Sequence, residues 1–330
     1  MFSPTDAEQL RESLAPINFI TDEALSGSLL QAYLDHYGLN FAANELAVSH
    51  CAGTFVTGHT NGQFELVCQY FSVALERQKG TVFLLHGYFD HTGLFGHLIE
   101  HCLRQGYAVV IFDLPGHGLS SGAVASIDSF RQYSEALIDC LTQAEKFSIN
   151  QPWISIAQST GAAVLIDALQ NQRLAERFPL QRFILLGPLL RPRRWLTSKL
   201  LFKITRYFVK ATPRTFANNS HDPEFLKFLS SNDSLQSDKL QRDWILAMID
   251  YQRRFSKAAI SSQALHIIQG SGDDTVDWQF NLPQIQKKFP QSKIYMISDA
   301  RHHLVNESPE YRERVFSSID QIVEGINKGP

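Results

Sequence analysis

The chain has 330 residues, of which 44% are hydrophobic and 19% are charged, and its formal net charge is −3. This hydrophobic fraction allows an extensive core, and the small net charge gives no indication of a nucleic-acid partner. The sequence has no early basic cluster and no apolar stretch approaching 18 residues. We therefore expect neither a secretion signal nor a spanning helix, and a cytoplasmic location. The four cysteines show no metal-ligand spacing and are expected as buried thiols; they are Cys51, Cys68, Cys102 and Cys140.

The predicted elements begin with a mainly helical extension over residues 1–50. Two β-rich segments follow at 54–57 and 63–73, and the turn residues Thr60, Asn61 and Gly62 between them are typical of a hairpin. From residue 81 onward, short apolar segments alternate with helical patterns, which predicts a mostly parallel sheet with helices on both faces. The strands are expected at 81–85, 108–112, 153–157, 182–187, 264–269 and 293–298. The helices are expected at 93–105, 127–147, 160–171, 278–288 and 309–326.

The strand predicted at 81–85 ends in His86, Gly87 and Tyr88. An apolar strand followed by His-Gly is the expected position of half an oxyanion hole, with the backbone N–H of Tyr88 as one donor. We expect the second donor to be the N–H of Thr160, which follows Ser159, the candidate nucleophile, in the chain. Two fixed dipoles of this kind stabilise the negative oxygen that develops during acyl transfer.

The next predicted strand ends in a tight loop over residues 113–122, which is rich in glycine and begins with Asp113. This loop contains His117, for which two interpretations compete. A catalytic histidine is one, and a loop histidine held by hydrogen bonds is the other. The second is favoured because a better-placed histidine lies near the C-terminus.

The strand predicted at 153–157 leads directly into Ser159, and a helical pattern begins at Thr160. This arrangement is typical of a nucleophile elbow, the strained strand-to-helix turn that presents a serine hydroxyl at the end of a sheet. Small residues are required two positions either side of the serine, because a larger side chain would strike the neighbouring elements. Gly161 meets this requirement, whereas Ala157 stands where glycine is usual.

Two later strands are each followed by a pair of adjacent candidate residues. The strand at 264–269 precedes Asp273 and Asp274, and the strand at 293–298 precedes His302 and His303. The chain order is therefore serine, acid, histidine, which is the order of an α/β-hydrolase triad. In such a triad the acid orients the imidazole, and the imidazole takes the proton of the serine hydroxyl.

These motifs together resemble those of monoacylglycerol lipases and bacterial lysophospholipases, the α/β-hydrolase branch labelled serine aminopeptidase S33 or Hydrolase-4. The resemblance spans about residues 60–325. It implies Ser159 as nucleophile, Asp273 as acid and His302 as base. Spacing from the preceding Gly270 favours Asp273 over Asp274, and the preceding Ala-Arg dipeptide favours His302 over His303. The matching motifs are His86-Gly87, residues 113–122, Ser159-x-Gly161, Gly270-x-x-Asp273 and Ala300-Arg301-His302.

The alternation of strands and helices is interrupted between Gly187 and Ser262, a distance too long for a simple crossover. In the family that the chain resembles, a lid is inserted at this position. The resemblance therefore implies a lid over residues 188–262, within a hydrolase core of residues 51–187 and 263–330. Aromatic and apolar side chains of the lid are candidates for an acyl channel, although packing is the commoner role of such residues. They are Phe225, Phe228, Leu229, Trp244 and Met248.

The start of this segment is strongly basic, because residues 191–214 contain eight basic side chains and no acidic one. The basic residues Lys199, Lys203, Arg206 and Lys210 recur at helical spacing. The apolar residues Leu200, Ile204, Phe208 and Ala211 fall on an adjacent face. A basic amphipathic helix of this kind can contact an anionic membrane from the inner side. Alternatively, its apolar face packs on the core and its lysines are solvated.

The function expected from these features is a serine hydrolase that cleaves esters of single-chain lipids, either lysophospholipids or monoacylglycerols. Neither a metal nor an organic cofactor is needed for this chemistry. An aminopeptidase or a short-chain carboxylesterase of the same fold is the alternative enzyme. An aminopeptidase requires an acidic pocket for the substrate ammonium group, whereas the inserted segment begins strongly basic. A catalytically inactive lipid-binding protein is a third interpretation, and the intact order of serine, acid and histidine disfavours it.

Overall fold

Eight strands form one mixed sheet in the computed structural model, and a separate pair consists of β7 Ala211–Pro213 and β8 Lys239–Gln241. The strands of the mixed sheet are β1 Ser49–Thr57, β2 Phe64–Ser72, β3 Gly80–Leu85, β4 Tyr107–Phe112, β5 Trp153–Gln158, β6 Leu180–Leu186, β9 His266–Gly270 and β10 Lys293–Ile297. Their order across the sheet is β1-β2-β4-β3-β5-β6-β9-β10. The pairs β1–β2 and β2–β4 are antiparallel, and all other pairs of this sheet are parallel. The structure describes residues 2–20, 27–41, 46–58, 62–195, 202, 204, 207–214 and 218–325.

Helices lie on both faces of this sheet. The helices before the inserted segment are α1 Pro4–Ser13, α2 Ser28–His36, α3 Gly96–Arg104, α4 Phe130–Lys146, α5 Thr160–Asn171 and α6 Leu174–Arg177. Those that follow are α7 Pro223–Ser231, α8 Arg242–Lys257, α9 Trp278–Lys288 and α10 Pro309–Glu324. None of the described helices is long and apolar enough to cross a lipid bilayer. This arrangement confirms the predicted mostly parallel sheet flanked by helices.

The central strands are buried on both faces, which explains why they are continuous apolar segments rather than alternating ones. Along β3, Phe83 and Leu85 face one apolar cluster, whereas Val82 and Leu84 face the other. The first cluster joins the sheet to α4, α5 and α8. The second joins it to α3, α10 and the N-terminal helices α1 and α2. The N-terminal extension thus contributes to the core of the second face.

The predicted boundaries differ from the structure mainly at the hairpin. Strand β1 begins at Ser49, five residues before the predicted start, and pairs along its whole length with β2. The turn residues Thr60 and Asn61 lie outside the described residues. All four cysteines are buried thiols rather than members of disulfides, as the sequence predicted.

The prediction of a basic amphipathic helix that extends to Ala211 is wrong at the C-terminal end of that helix. Residues Tyr207 and Phe208 form a turn, and Ala211–Pro213 is a short strand, β7. Strand β7 pairs antiparallel with β8, Lys239–Gln241. No local pattern in the sequence indicates this pairing. Periodicity therefore predicted a helix at Ala211, where pairing with Gln241, 30 residues further along the chain, imposes a strand. Of the predicted helical face, Lys199, Leu200, Lys203 and Arg206 lie outside the described residues.

Candidate active site

Ser159 lies between β5 and α5 with φ 53° and ψ −110°, a backbone conformation that non-glycine residues rarely adopt. Its N–H donates to the carbonyl of Leu186 at 2.9 Å, and its carbonyl accepts from Leu189 at 3.2 Å. These two bonds hold the strained residue in place. A Cβ at Gly161 would lie 2.5 Å from the carbonyl oxygen of Leu85, so only glycine allows the helix to approach β3 this closely. The methyl group of Ala157 is fully buried within β5.

The structure brings the three predicted catalytic residues into one hydrogen-bonded series. His302 Nε2 lies 2.9 Å from Ser159 Oγ, and His302 Nδ1 lies 2.7 Å from Asp273 Oδ2. All three residues are buried. With Nδ1–H donating to the carboxylate, Nε2 is left as the acceptor for the serine hydroxyl. This is the tautomer that a general base requires.

Additional donors fix Asp273 in this orientation. Its Oδ1 accepts the backbone N–H groups of Thr275 at 2.8 Å and Val276 at 3.1 Å, and its Oδ2 also accepts from the Gln269 amide at 3.1 Å. Burial acts to raise the pKa of Asp273, but His302 and these donors outweigh it and lower the pKa. The carboxylate is therefore charged when it faces the imidazole.

The contact with Asp273 also changes the pKa of His302. Burial acts to lower the pKa of His302, and the facing carboxylate of Asp273 overcomes this effect and raises the pKa above its ordinary value. A raised pKa makes the imidazole a stronger proton acceptor, provided that the solution pH keeps it neutral.

The adjacent alternatives have other partners. Asp274 is exposed, and its carboxylate pairs with Arg193 at 2.7 Å. His303 is buried, but its Nε2 lies 3.0 Å from Asp90 Oδ1 rather than near the serine. The geometry therefore places His302 in contact with Ser159 and Asp273 in contact with His302, whereas Asp274 and His303 have other partners.

The two predicted oxyanion donors lie in the same cavity wall as Ser159. Thr160 is the first residue of α5, so its N–H has no acceptor within the helix, and the helix dipole adds positive potential there. Tyr88 is the second residue of a turn closed by a hydrogen bond from Asp90 N–H to Gly87 O, 3.2 Å long. Within the described part of the chain, neither Tyr88 N–H nor Thr160 N–H donates to a protein acceptor.

His117 is buried beside this turn but does not contact the triad. Its Nδ1 is 2.9 Å from the carbonyl of Pro115, and its ring packs against those of His86 and Tyr88. Burial lowers the pKa of His117 to about 3, so the ring is neutral at physiological pH. These contacts agree with the favoured interpretation of a loop histidine rather than a catalytic one.

A cavity of about 330 Å³ opens above Ser159, between the sheet and the segment that follows β6. Two arginines, Arg193 and Arg214, and the buried Asp90 also lie in its wall. The hydrophobic lining consists of Tyr88, Phe89, Leu189, Trp195, Phe202, Leu240, Trp244, Ile245, Met248 and Val276, among others.

The predicted acyl-channel residues divide into two groups. Trp244 and Met248 line the cavity, as expected of one face of α8. Phe225, Phe228 and Leu229 do not; they pack into the second apolar cluster with the N-terminal helices. The ring of Phe228, for example, contacts that of Tyr37. Periodicity along α7 indicated a buried face but not which neighbour buries it.

Two buried histidine–aspartate contacts beside the site have no counterpart in the sequence analysis. His303 pairs with Asp90, and His91 Nε2 lies 3.1 Å from both carboxylate oxygens of Asp233. Tyr37 donates its hydroxyl to the same Asp233 at 3.0 Å. Partners more than a hundred residues apart leave no local signal in the sequence.

Comparison with known proteins agrees with this geometry. Residues 76–309 match the model of the Hydrolase_4 family, described as serine aminopeptidase, S33. A monoglyceride lipase homolog of Monkeypox virus is 24% identical over 276 residues, which cover 79% of this chain and 96% of that protein. Phospholipase YtpA of Bacillus subtilis is also 24% identical, over 74% of this chain and 94% of its own length.

Among solved structures, a soluble variant of monoglyceride lipase from Saccharomyces cerevisiae is similar with a TM-score of 0.67. The similarity covers 81% of this chain and 93% of that one, at 16% sequence identity, and shows a shared fold. The family match spans more than two-thirds of the chain. The chain therefore belongs to the Hydrolase_4 family of serine aminopeptidase S33 type and is a hydrolase of the α/β-hydrolase fold.

Proposed function

We propose that this protein hydrolyses carboxylic esters of single-chain lipids, a lysophospholipid or a monoacylglycerol, with Ser159, Asp273 and His302 as the catalytic triad. The observation that carries the proposal is the continuous series from Asp273 through His302 to Ser159, which opens into a mainly apolar cavity. An apolar cavity beside an activated serine suits an acyl chain, whose carbonyl group must reach the hydroxyl.

The proposed reaction begins when Ser159 Oγ attacks the ester carbonyl and passes its proton to His302 Nε2. The N–H groups of Tyr88 and Thr160 stabilise the oxyanion, and Asp273 stabilises the imidazolium that forms. His302 then returns the proton to the leaving alcohol, which departs and leaves an acyl-serine ester. Water, deprotonated by the same imidazole, attacks this ester and releases the fatty acid.

We further propose that residues 188–262 act as the lid over this cavity. Several of the lining residues come from this segment, including Trp195, Leu240, Trp244 and Met248. Trp244 stacks on Tyr88 with ring centroids 3.9 Å apart, so this segment packs directly on the residue that carries the expected oxyanion donor. A closed lid of this kind excludes bulk water from the acyl-enzyme.

An aminopeptidase is the alternative, and the charges of the cavity wall disfavour it. The substrate ammonium of an aminopeptidase requires an unpaired carboxylate, but Asp90 is already paired with His303 and accepts the N–H of Gly87. Arg214 adds positive charge to the wall, whereas Arg193 is paired with Asp274. This balance of charges in the cavity wall suits a neutral or anionic lipid better than a cationic amine.

Release assays on purified protein test the proposal. The substrates are lysophosphatidylcholine, lysophosphatidylethanolamine, monooleoylglycerol, a short p-nitrophenyl ester and an aminoacyl amide. Turnover of the long-chain lipids is expected to fall by on the order of 10⁴-fold or more in Ser159→Ala. Ser155→Ala removes a hydroxyl from β5, the strand that precedes Ser159. This hydroxyl donates to the carbonyl of Arg182, and its loss is expected to leave turnover unchanged. Turnover of the short ester or the amide alone contradicts a lipid substrate.

We also propose that residues 191–214 contact an anionic membrane surface. Ile204 and Phe208 of this segment are exposed, with 66% and 88% of their surface accessible. Exposed apolar side chains within a basic segment suit the interface of an anionic bilayer. Co-sedimentation with anionic vesicles at low salt, weakened in Phe208→Asp, supports this contact; no binding of the wild-type protein contradicts it.

A further inference from the structure

The turn that carries Tyr88 has a strained backbone and needs external support. Phe89, its third residue, has φ 70°, a conformation in which glycine is usual. A Cβ at Gly87 would lie 3.4 Å from Ser159 Cβ, so the turn packs directly against the nucleophile. A small displacement of this turn would therefore move the Tyr88 N–H relative to the serine hydroxyl.

The carboxylate of Asp90 joins this turn to the loop of the catalytic histidine. Asp90 Oδ2 accepts the N–H of Gly87 at 3.2 Å, and Asp90 Oδ1 faces His303 Nε2 at 3.0 Å. Both side chains are buried, with 3% of the His303 side chain and 8% of the Asp90 side chain exposed. Burial acts to raise the pKa of Asp90, but the facing His303 outweighs it and holds that pKa well below its usual range. Asp90 therefore remains a charged acceptor.

His303 is itself held from several directions. Its backbone N–H donates to the carbonyl of Asn219 at 2.8 Å, and its backbone carbonyl accepts from Asn306 at 2.9 Å. The amide of Asn306 donates to the carbonyl of Leu94 at 2.7 Å. The ring of Phe225 packs on the imidazole with centroids 4.8 Å apart. Because the His303 imidazole is held in these ways, it fixes the position of the Asp90 carboxylate beside His302.

We propose that Asp90 and His303 are positioning residues for the oxyanion hole, which set the orientation of the Tyr88 N–H relative to Ser159. This inference rests on the proposed function, since it assigns the two residues to the same acyl-transfer site. Neither side chain touches the reacting atoms; each acts through the Gly87–Asp90 turn. The pair also fixes the distance between the turn and the base, because His303 follows His302 directly in the chain.

The test compares Asp90→Ala, His303→Ala and His303→Gln with the wild-type protein. Loss of an oxyanion donor costs about 100- to 1,000-fold in kcat, and a displaced donor is expected to cost less, about 10- to 100-fold. KM is expected to change little, because the interaction develops only in the transition state. A long-chain alkyl trifluoromethyl ketone, which forms an oxyanion on Ser159, is expected to bind more weakly by the same factor as kcat falls. His303→Gln retains an N–H donor for Asp90 and is expected to recover most of kcat.

The matched control is His101→Ala, which breaks another histidine–aspartate pair, to Asp320 at 2.8 Å, between α3 and α10. This variant is expected to keep the wild-type kcat and the wild-type inhibition constant. If Asp90→Ala does not fold, the two His303 variants decide the question by themselves. Unchanged kcat in the alanine variants, or a lower kcat with unchanged binding of the ketone, overturns the proposal.

Failure of the proposed substrate is distinguishable from failure of this inference. The rate at which a fluorophosphonate labels Ser159 depends on the oxyanion donors but needs no lipid substrate. If no lipid ester is turned over, slower labelling of Asp90→Ala and His303→Ala still supports the positioning role. Equal labelling rates in the wild-type protein and both variants contradict it.

Discussion

Replacing Ser159 with glycine is expected to give a more stable protein than replacing it with alanine, the reverse of the usual order. Ser159 has φ 53° and ψ −110°, and such a conformation costs a non-glycine residue about 1–3 kcal/mol. Glycine avoids this cost but loses about 0.4–1 kcal/mol through the greater freedom of its unfolded chain. Both variants lose the same hydroxyl and the same bond to His302. The difference in free energy of unfolding is therefore about 1 kcal/mol in favour of glycine.

Urea denaturation of both variants measures this difference. Thermal unfolding is less sensitive, because 1 kcal/mol corresponds to only about 1–2 °C in a chain of this length. The control is Ser155, which lies in regular β5, where glycine is expected to be less stable than alanine by about 0.5–1 kcal/mol. If Ser159→Ala is more stable than Ser159→Gly, as at Ser155, the elbow does not store the strain that its backbone angles imply.

Three further predictions concern the site. Asp273→Asn is expected to lower kcat by on the order of 10⁴-fold, whereas Asp274→Asn leaves kcat unchanged because that carboxylate is exposed and pairs with Arg193 rather than with His302. Protonated His302 cannot accept the serine proton, so kcat/KM is expected to fall as pH decreases through its raised pKa, with the half-maximal pH above the ordinary histidine value of about 6.5. Gly161→Ala is expected to lower stability by about 1–3 kcal/mol through contact with the Leu85 carbonyl, and to lower kcat.

Each of these predictions has its own contradicting result. Equal losses in the two aspartate variants would mean that the hydrogen bond to His302 does not identify the acid. If kcat/KM is half-maximal at a pH below the ordinary histidine pKa, burial lowers the pKa of His302 more than the Asp273 charge raises it. For the glycine, the control is Gly27→Ala, because a Cβ there meets no atom of the described residues within 4 Å and kcat is expected to stay at the wild-type value. Equal kcat in both glycine variants would contradict the role of the close approach.

The positioning role proposed for His303 changes an expectation that spacing alone suggests. From the sequence, His303 is the neighbour that the motif does not select, so its removal is expected to cost little activity. In the structure it faces Asp90, which supports the turn beside the nucleophile. The side chain that follows His302 in the chain therefore reaches, through Asp90, the turn that carries Tyr88.

The sequence by itself determined the eight strands of the main sheet, most of the helices and the order of the candidate catalytic residues. These features are local: apolar segments predict buried strands, and the serine, acid and histidine follow strands whose carboxyl ends meet at one edge of a parallel sheet. The geometry then placed Asp273 and His302 in the series to Ser159, as the family motif indicated.

Only the tertiary structure decided which residues meet across long distances in the chain. The strand at Ala211–Pro213 depends on pairing with Lys239–Gln241, and the pair of Asp90 with His303 joins residues 213 positions apart. Phe228 packs against the N-terminal helices instead of lining the cavity for the same reason. Periodicity and spacing report which face of an element is buried, whereas the partner that buries it is selected by the packing of the whole chain.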